Sequence, residues 1–257
     1  MIATFKRIIR ECGRKLLELS EQERAKGVWQ VDQFKAEADK TAHHLFTKAF
    51  RAESNLPIVS EEDENPPRFT SSDYVIFDPI DGTASYSHGY NGWVTQAALM
   101  RNQKPILSVV FAPATNELFW AEVGKGAFCN DTVLRVRSGQ SDQITSLIDN
   151  YPTPRGITEE VVDNFSIPYY VECGSLGLKI CRIASGSADL LFKAMCPRDW
   201  DLAAPELIIK EAGGVLSDAL GQEIQYGSVD RSHYGLIASC NTQIMNRVSS
   251  WYRQKVR

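Results

Sequence analysis

The chain predicts a two-part α+β and α/β architecture, with an α+β unit over residues 1–150 and an α/β unit over residues 151–257. Three observations carry this. The N-terminal residues repeat apolar positions every three or four residues, the period of amphipathic helices. Apolar runs rich in β-branched and aromatic residues follow, joined by turn signals. Beyond the break Tyr151-Pro152-Thr153-Pro154-Arg155-Gly156, short apolar runs alternate with helical patterns, the mark of an α/β layer.

In order, Phe5, Ile8, Ile9, Cys12, Leu16 and Leu19 predict a first helix. Ala38, Ala42, Leu45, Phe46 and Ala49 predict a second over 34–50. Ile58–Ser60 reads as a short strand, and 74–77 as a buried strand ending at Asp78. Runs 94–100, 106–111 and Glu117–Glu122 are β-rich, the last two joined by Pro113-Ala114-Thr115-Asn116, and the first half reads as helices packed on an antiparallel sheet. In the second unit, strands are expected at Tyr169–Glu172, 188–192, 215–218 and Leu236–Ser239. Helices are expected at 175–185, 201–212 and 241–253.

Composition narrows the function. With 43% hydrophobic and 23% charged residues, the chain is neither disordered nor short of core material. The net charge of −4 argues against a nucleic-acid binder, and no apolar run approaches a membrane span. Six cysteines without a C-x-x-C pair suggest a reducing compartment. The opening residues lack a signal-peptide pattern, so a cytoplasmic location is expected.

Chemistry concentrates at Asp78-Pro79-Ile80-Asp81-Gly82-Thr83. Two carboxylates leave a strand through a stiff turn, an arrangement that can converge on one Mg²⁺, while the amides of Gly82 and Thr83 face an anion. The bland reading is an Asp-Pro turn with a capping Asp. Ser60-Glu61-Glu62-Asp63-Glu64 places Glu61 directly past a strand. Trp200-Asp201 opens the helix leading to Glu211-Ala212-Gly213-Gly214, with Asp201 at the expected N-cap.

Together these motifs resemble the inositol monophosphatase family of Mg²⁺-dependent, lithium-sensitive phosphatases. The segment from Gly174-Ser175-Leu176 through Ala184-Ser185-Gly186 and Asp189 is similar to a further signature. The resemblance implies a layered αβαβα sandwich. It implies two to three Mg²⁺ ions, with Glu61, Asp78 and the Ile80 carbonyl holding the first. Asp78, Asp81 and Asp201 would hold the second, and Glu61 would help with a third. Thr83 would orient the attacking water with Asp39 as its acidic partner, and Gly82 and Thr83 would bind phosphate. Asp81, Gly174, Ser175 and Leu176 would meet the substrate, a small phosphate ester, and a homodimer is possible by analogy.

Phosphoryl transfer needs alignment and charge neutralisation more than covalent help, so direct water attack without a phosphoenzyme is expected. Cys129-Asn130-Asp131-Thr132-Val133-Leu134-Arg135 fits the C-x5-R spacing of cysteine phosphatases, but its centre reads as a turn entering a strand. His43 and His44 read as surface residues.

Substrate choice is less legible. Inositol-selective members carry a glutamate where this chain has Lys193, and a lysine suits a second phosphate. An inositol or polyol phosphate leads. The alternative is 3'-phosphoadenosine 5'-phosphate, since Val59-Ser60-Glu61-Glu62-Asp63 is similar to bacterial phosphatases of that compound. A non-catalytic regulatory protein on the same fold is the reading from another class.

Overall fold

The computed structural model describes residues 1–26, 31–63, 73–137, 142–227 and 232–256, and the side chains of 23–26 and 31–36 lie outside that description. Glu64, last of the acidic run, also lies outside it. Two N-terminal helices, α1 (Ile2–Lys26) and α2 (Val31–Arg51), precede a seven-stranded sheet. Its strands lie in chain order: β1 (Ile58–Ser60), β2 (Tyr74–Asp81), β3 (Val94–Arg101), β4 (Lys104–Ala112), β5 (Glu117–Glu122), β6 (Gly126–Cys129) and β7 (Thr132–Val133). The short helix α3 (Thr83–Ser87) interrupts β2 and β3.

The second sheet has the order β11-β12-β10-β8-β9. It is built from β8 (Ser146–Asp149), β9 (Tyr169–Glu172), β10 (Leu190–Lys193), β11 (Val215–Ser217) and β12 (Leu236–Ser239). Helices α4 (Ile157–Phe165), α5 (Leu176–Ala184), α6 (Asp199–Glu211) and α7 (Thr242–Lys255) surround it.

Alternation along the strands builds the layers. Val75 and Phe77 of β2 pack with Phe5, Ile8 and Ile9 of α1 and with Phe46 and Phe50 of α2. Tyr74 and Ile76, on the opposite face, join the core shared with Ile180 of α5, Ile208 of α6 and the second sheet. Phe192 of β10 meets Trp251 and Tyr252 of α7 edge-on beyond that sheet. Helices, sheet, helices, sheet and helices therefore stack in five layers, the expected αβαβα sandwich.

Four local expectations need correction. β2 continues through Asp81 rather than ending at Asp78. β1 pairs parallel with β2, so the first sheet is not wholly antiparallel. β8 and α4 have no counterpart in the sequence reading: they flank the Tyr151–Gly156 turn cluster, which reads as a break. His43 is half-buried, with Nδ1 3.0 Å from the Ser60 hydroxyl, rather than a surface residue.

The topology aims several strand ends at one place. β1 and β2 run parallel and deliver Glu61 and Asp78 at the same end. β8, β9 and β10 are mutually parallel, so Asp149, Glu172 and Lys193 share the carboxyl edge of the second sheet. Carboxyl edges of parallel strands are where such layers place their sites.

Candidate metal centre

In a regular strand, side chains three residues apart face opposite sides. Asp78 pairs with Gln96 and Asp81 with Val94, so three steps along β2 span two along β3. This bulge adds one residue and reverses the parity, bringing Asp81 to the side of Asp78. Pro79 lies within the bulge, where a missing N–H breaks no regular ladder. Gly82 then turns the chain at φ +91°. A Cβ there would lie 2.9 Å from the Gly92 carbonyl and 3.0 Å from Ser175 Cβ, so the position requires glycine.

Asp201 arrives on α6. It is the third helical residue and Arg198 is the N-cap, which corrects the expectation that Asp201 itself caps the helix. Its Oδ2 accepts the Arg198 amide hydrogen at 2.6 Å, a bond that fixes the carboxylate at the helix mouth. Pro205, four residues on, has no N–H to give the Asp201 carbonyl. The Gln96 side chain fills that gap, its Nε2 lying 3.4 Å from Asp201 O, 3.1 Å from Trp200 O and 3.3 Å from Asp78 Oδ2.

Asp81 is held from the other side by the start of α5. It accepts from the Ser175 hydroxyl at 2.7 Å, the Leu176 amide at 3.1 Å and the Gly177 amide at 2.5 Å. A Cβ at Gly177 would lie 2.4 Å from Gln96 Oε1 and 3.0 Å from Asp81 Oδ2, so a larger residue there would displace both side chains.

Asp78, Asp81 and Asp201 thus each present an oxygen within 4.8 Å of the others. Burial pushes Asp78 well above the usual carboxylate range, and Glu61, Asp81 and Asp201 push it further. Burial raises Asp81 as well, opposed by its bonds to Gly177, Ser175 and Leu176. Burial and then the charge of Asp81 push Asp201 up to about 7. Asp78 Oδ1 is buried and has no hydrogen-bond partner among the described residues. Crowded carboxylates with an orphaned oxygen fit a divalent cation, and an all-oxygen donor set fits Mg²⁺.

The other expected residues are distributed around this cluster. Glu61 is exposed beyond β1, and its charge acts on both Asp78 and Asp201. Ile80 is buried, and its carbonyl accepts the Thr83 hydroxyl hydrogen at 3.2 Å. Asp39 is buried on α2, next to Ala38, which packs in a cluster with Ile80 and Tyr86. Gly82 and Thr83 sit at the start of α3. Gly174 packs against Gly92, where a Cβ would lie 2.3 Å from the Gly92 carbonyl. Ser175 and Leu176 meet Asp81 directly.

Lys193 is tied into the second sheet, where its ammonium bonds Asp149 and lies 2.8 Å from Asn150 Oδ1. Cys129 ends β6 before a left-handed Asn130, and burial pushes its thiol up to about 11. A cysteine nucleophile needs the opposite shift.

Three residues at the site escaped the sequence reading: Gln96, Asn150 and Lys179. Gln96 and Lys179 carried a usable signal, each being a polar residue inside an otherwise apolar run. Glu211, part of the C-terminal motif, has a structural role. Its carboxylate accepts the amides of Gly124 at 2.9 Å and Gly126 at 2.8 Å, closing the β5–β6 turn.

Residues 2–252 match the Inositol monophosphatase family profile. This chain belongs to that family. It is 35% identical over 159 residues to inositol monophosphatase 3 of Solanum lycopersicum, covering 58% of each chain. The match therefore spans under two thirds of the tomato protein's length. It is 26% identical to the 3'(2'),5'-bisphosphate nucleotidase CysQ of Aggregatibacter actinomycetemcomitans over 74% of each chain. The fold is similar to that of inositol monophosphatase-II from Staphylococcus aureus MSSA476, with a TM-score of 0.82, 20% identity and coverage of 97% of this chain and 94% of that one.

Proposed function

We propose that this protein is a Mg²⁺-dependent hydrolase of a small phosphate monoester, of the inositol or polyol phosphate type. The observation that carries this is the convergence of Asp78, Asp81 and Asp201, with an orphaned Asp78 oxygen, beside the Gly82–Thr83 turn. When bound, Mg²⁺ supplies charge neutralisation for the phosphoryl oxygens and makes water more acidic. Glu61, Asp78, the Ile80 carbonyl, Asp81 and Asp201 are the residues that would hold two to three such ions.

The remaining work falls to the protein's own groups. The amides of Gly82 and Thr83 bind the phosphate. Thr83, donating to Ile80 O, keeps its oxygen lone pairs available to accept from the attacking water. Asp39 would serve as its acidic partner by accepting that single hydroxyl hydrogen in place of Ile80 O, whose carbonyl is then free for the ion. Water attacks directly, and no covalent phosphoenzyme forms.

One observation favours a second reading, a substrate with a further anionic group such as a 3',5'-bisphosphate nucleotide. Lys179 and Lys193 both bond Asn150 Oδ1, and Asp149 bonds Lys193 alone. Two ammonium groups at the carboxyl edge of the second sheet leave a local positive charge beside Gly174.

The test is a phosphate-release screen over metabolite phosphates with Mg²⁺, including an inositol phosphate and a bisphosphate nucleotide. Mg²⁺-dependent, lithium-inhibited release supports the proposal. Full Mg²⁺ binding without release from any monoester would instead favour a regulatory protein on this fold. The ratio of kcat/KM on the two substrates, with and without Lys193→Glu, separates the readings. An unchanged ratio would remove Lys193 from substrate selection.

A further inference from the structure

Behind the metal centre, one peptide unit is pinned on both sides. The Gly174 carbonyl accepts from Asn150 Nδ2 at 3.0 Å and from Lys179 Nζ at 2.9 Å. On the other edge of the same peptide, the Ser175 amide donates to the Gly92 carbonyl at 2.6 Å. A peptide is a rigid plane, so these three bonds set its rotation about the chain. That rotation aims everything which follows it: the Ser175 hydroxyl and the Leu176 and Gly177 amides, all of which bond Asp81.

Asn150 is the centre of this arrangement. Its amide oxygen accepts from Lys179 at 2.5 Å and from Lys193 at 2.8 Å, while its amide nitrogen reaches Gly174. Lys179 is 1% exposed and its hydrogen bonds go to Asn150 Oδ1, Gly174 O and Cys173 O, all neutral oxygens. A buried ammonium without a directly bonded carboxylate is a poor contributor to stability. It does serve well as a fixed donor behind Gly174.

We propose that Asn150 is a positioning residue: it fixes the Gly174–Ser175 peptide, and through it the orientation of Asp81 as a Mg²⁺ ligand. The inference rests on the reading of Asp81 as a metal ligand and adds a residue that works through it from the second sheet. Groups bonded directly to a metal ligand orient it; for Asp81 these are Ser175, Leu176 and Gly177, and Asn150 acts one step further out by fixing the peptide that precedes them.

Asn150→Asp separates positioning from folding. The aspartate keeps an oxygen for both ammonium groups but replaces the donor to Gly174 with an acceptor, which repels that carbonyl. Calorimetric titration of the metal-free protein with Mg²⁺ is the primary readout, with kcat, KM and the melting temperature beside it. The expected result is a melting temperature near the parent's, with Mg²⁺ affinity weakened about tenfold or more and kcat reduced. Asn150→Ala gives the same loss of affinity and takes over the test if the aspartate variant does not fold. Mg²⁺ affinity within about twofold of the parent in the folded variant would overturn the proposal. A fall in kcat with unchanged Mg²⁺ affinity would overturn it too, since Asn150 would then act on the substrate. If the parent binds Mg²⁺ but releases no phosphate, the proposed hydrolysis fails. Weakened binding in Asn150→Asp would still uphold the positioning role.

Discussion

The Ser175 hydroxyl donates to Asp81 Oδ2 at 2.7 Å while its oxygen accepts the Leu178 amide at 2.9 Å. One side chain thus caps α5 and anchors a carboxylate of the metal centre on the other sheet. Ser175→Ala removes both bonds. The cap alone is worth about 1 kcal/mol. Urea denaturation should show a loss of that order, and calorimetry should show weaker Mg²⁺ binding. Full Mg²⁺ affinity in the variant would mean that the Leu176 and Gly177 amides alone suffice to hold Asp81.

Gly174→Ala should be harmful for a steric reason. The new Cβ would meet both the Gly92 carbonyl and the Ser85 hydroxyl at 2.3 Å, and the former is backbone that cannot swing aside. Overpacking of this kind costs about 1–3 kcal/mol, and here it also separates the α5 turn from the Gly82 loop. A lower melting temperature together with lost phosphate release is the expected outcome. Parent-like values for both would show that the two segments can part without consequence.

Glu211→Gln supplies the contrast. Glu211 belongs to one of the motifs that carry the family resemblance, yet its carboxylate closes a hairpin turn. Replacing it weakens two charge-assisted bonds at a partly exposed site, for an expected loss of about 1 kcal/mol. Steady-state kinetics should remain those of the parent. A kinetic defect at full stability would assign Glu211 a role in turnover that this geometry does not provide.

Lys179 carries a pH signature. Burial, then the neighbouring charge of Lys193, pushes its pKa down from 10.5 to about 8. Between these values the unfolded chain binds the proton and the folded one does not. The cost of the buried charge is therefore full below pH 8 and is relieved as pH rises toward 10.5. Urea melts of the parent and of Lys179→Met, at pH 7.5 and pH 10, should show the parent gaining on the variant at the higher pH. A constant difference would mean that Lys179 does not titrate in that range.

Much of the centre is legible in the sequence because its carboxylates sit at strand and helix ends that announce themselves locally. Asp78 and Asp81 close an apolar strand around a Pro-Gly turn, and Asp201 opens a helix. What escapes depends on contacts that no local pattern encodes. The β2 bulge, which turns Asp81 to the side of Asp78, leaves the sequence reading like an ordinary strand end. Gln96 and Lys179 interrupt apolar runs, but their partners lie 18 residues and 29 residues away in the chain. Asn150 falls beside a proline-rich break, where an asparagine reads as turn chemistry. Local pattern puts Asp201 at the mouth of its helix but three residues past the true cap, Arg198, because acidic side chains suit both the N-cap and the first turn.

The central claim is that Asp78, Asp81 and Asp201 hold divalent cations beside a phosphate-binding turn. A crystal grown with Mn²⁺ in place of Mg²⁺, with inorganic phosphate added, tests it through the anomalous difference map. The account predicts Mn²⁺ peaks bridging these three carboxylates, with phosphate against the Gly82 and Thr83 amides. A well-ordered structure with the carboxylates free of Mn²⁺ and the phosphate elsewhere would contradict it.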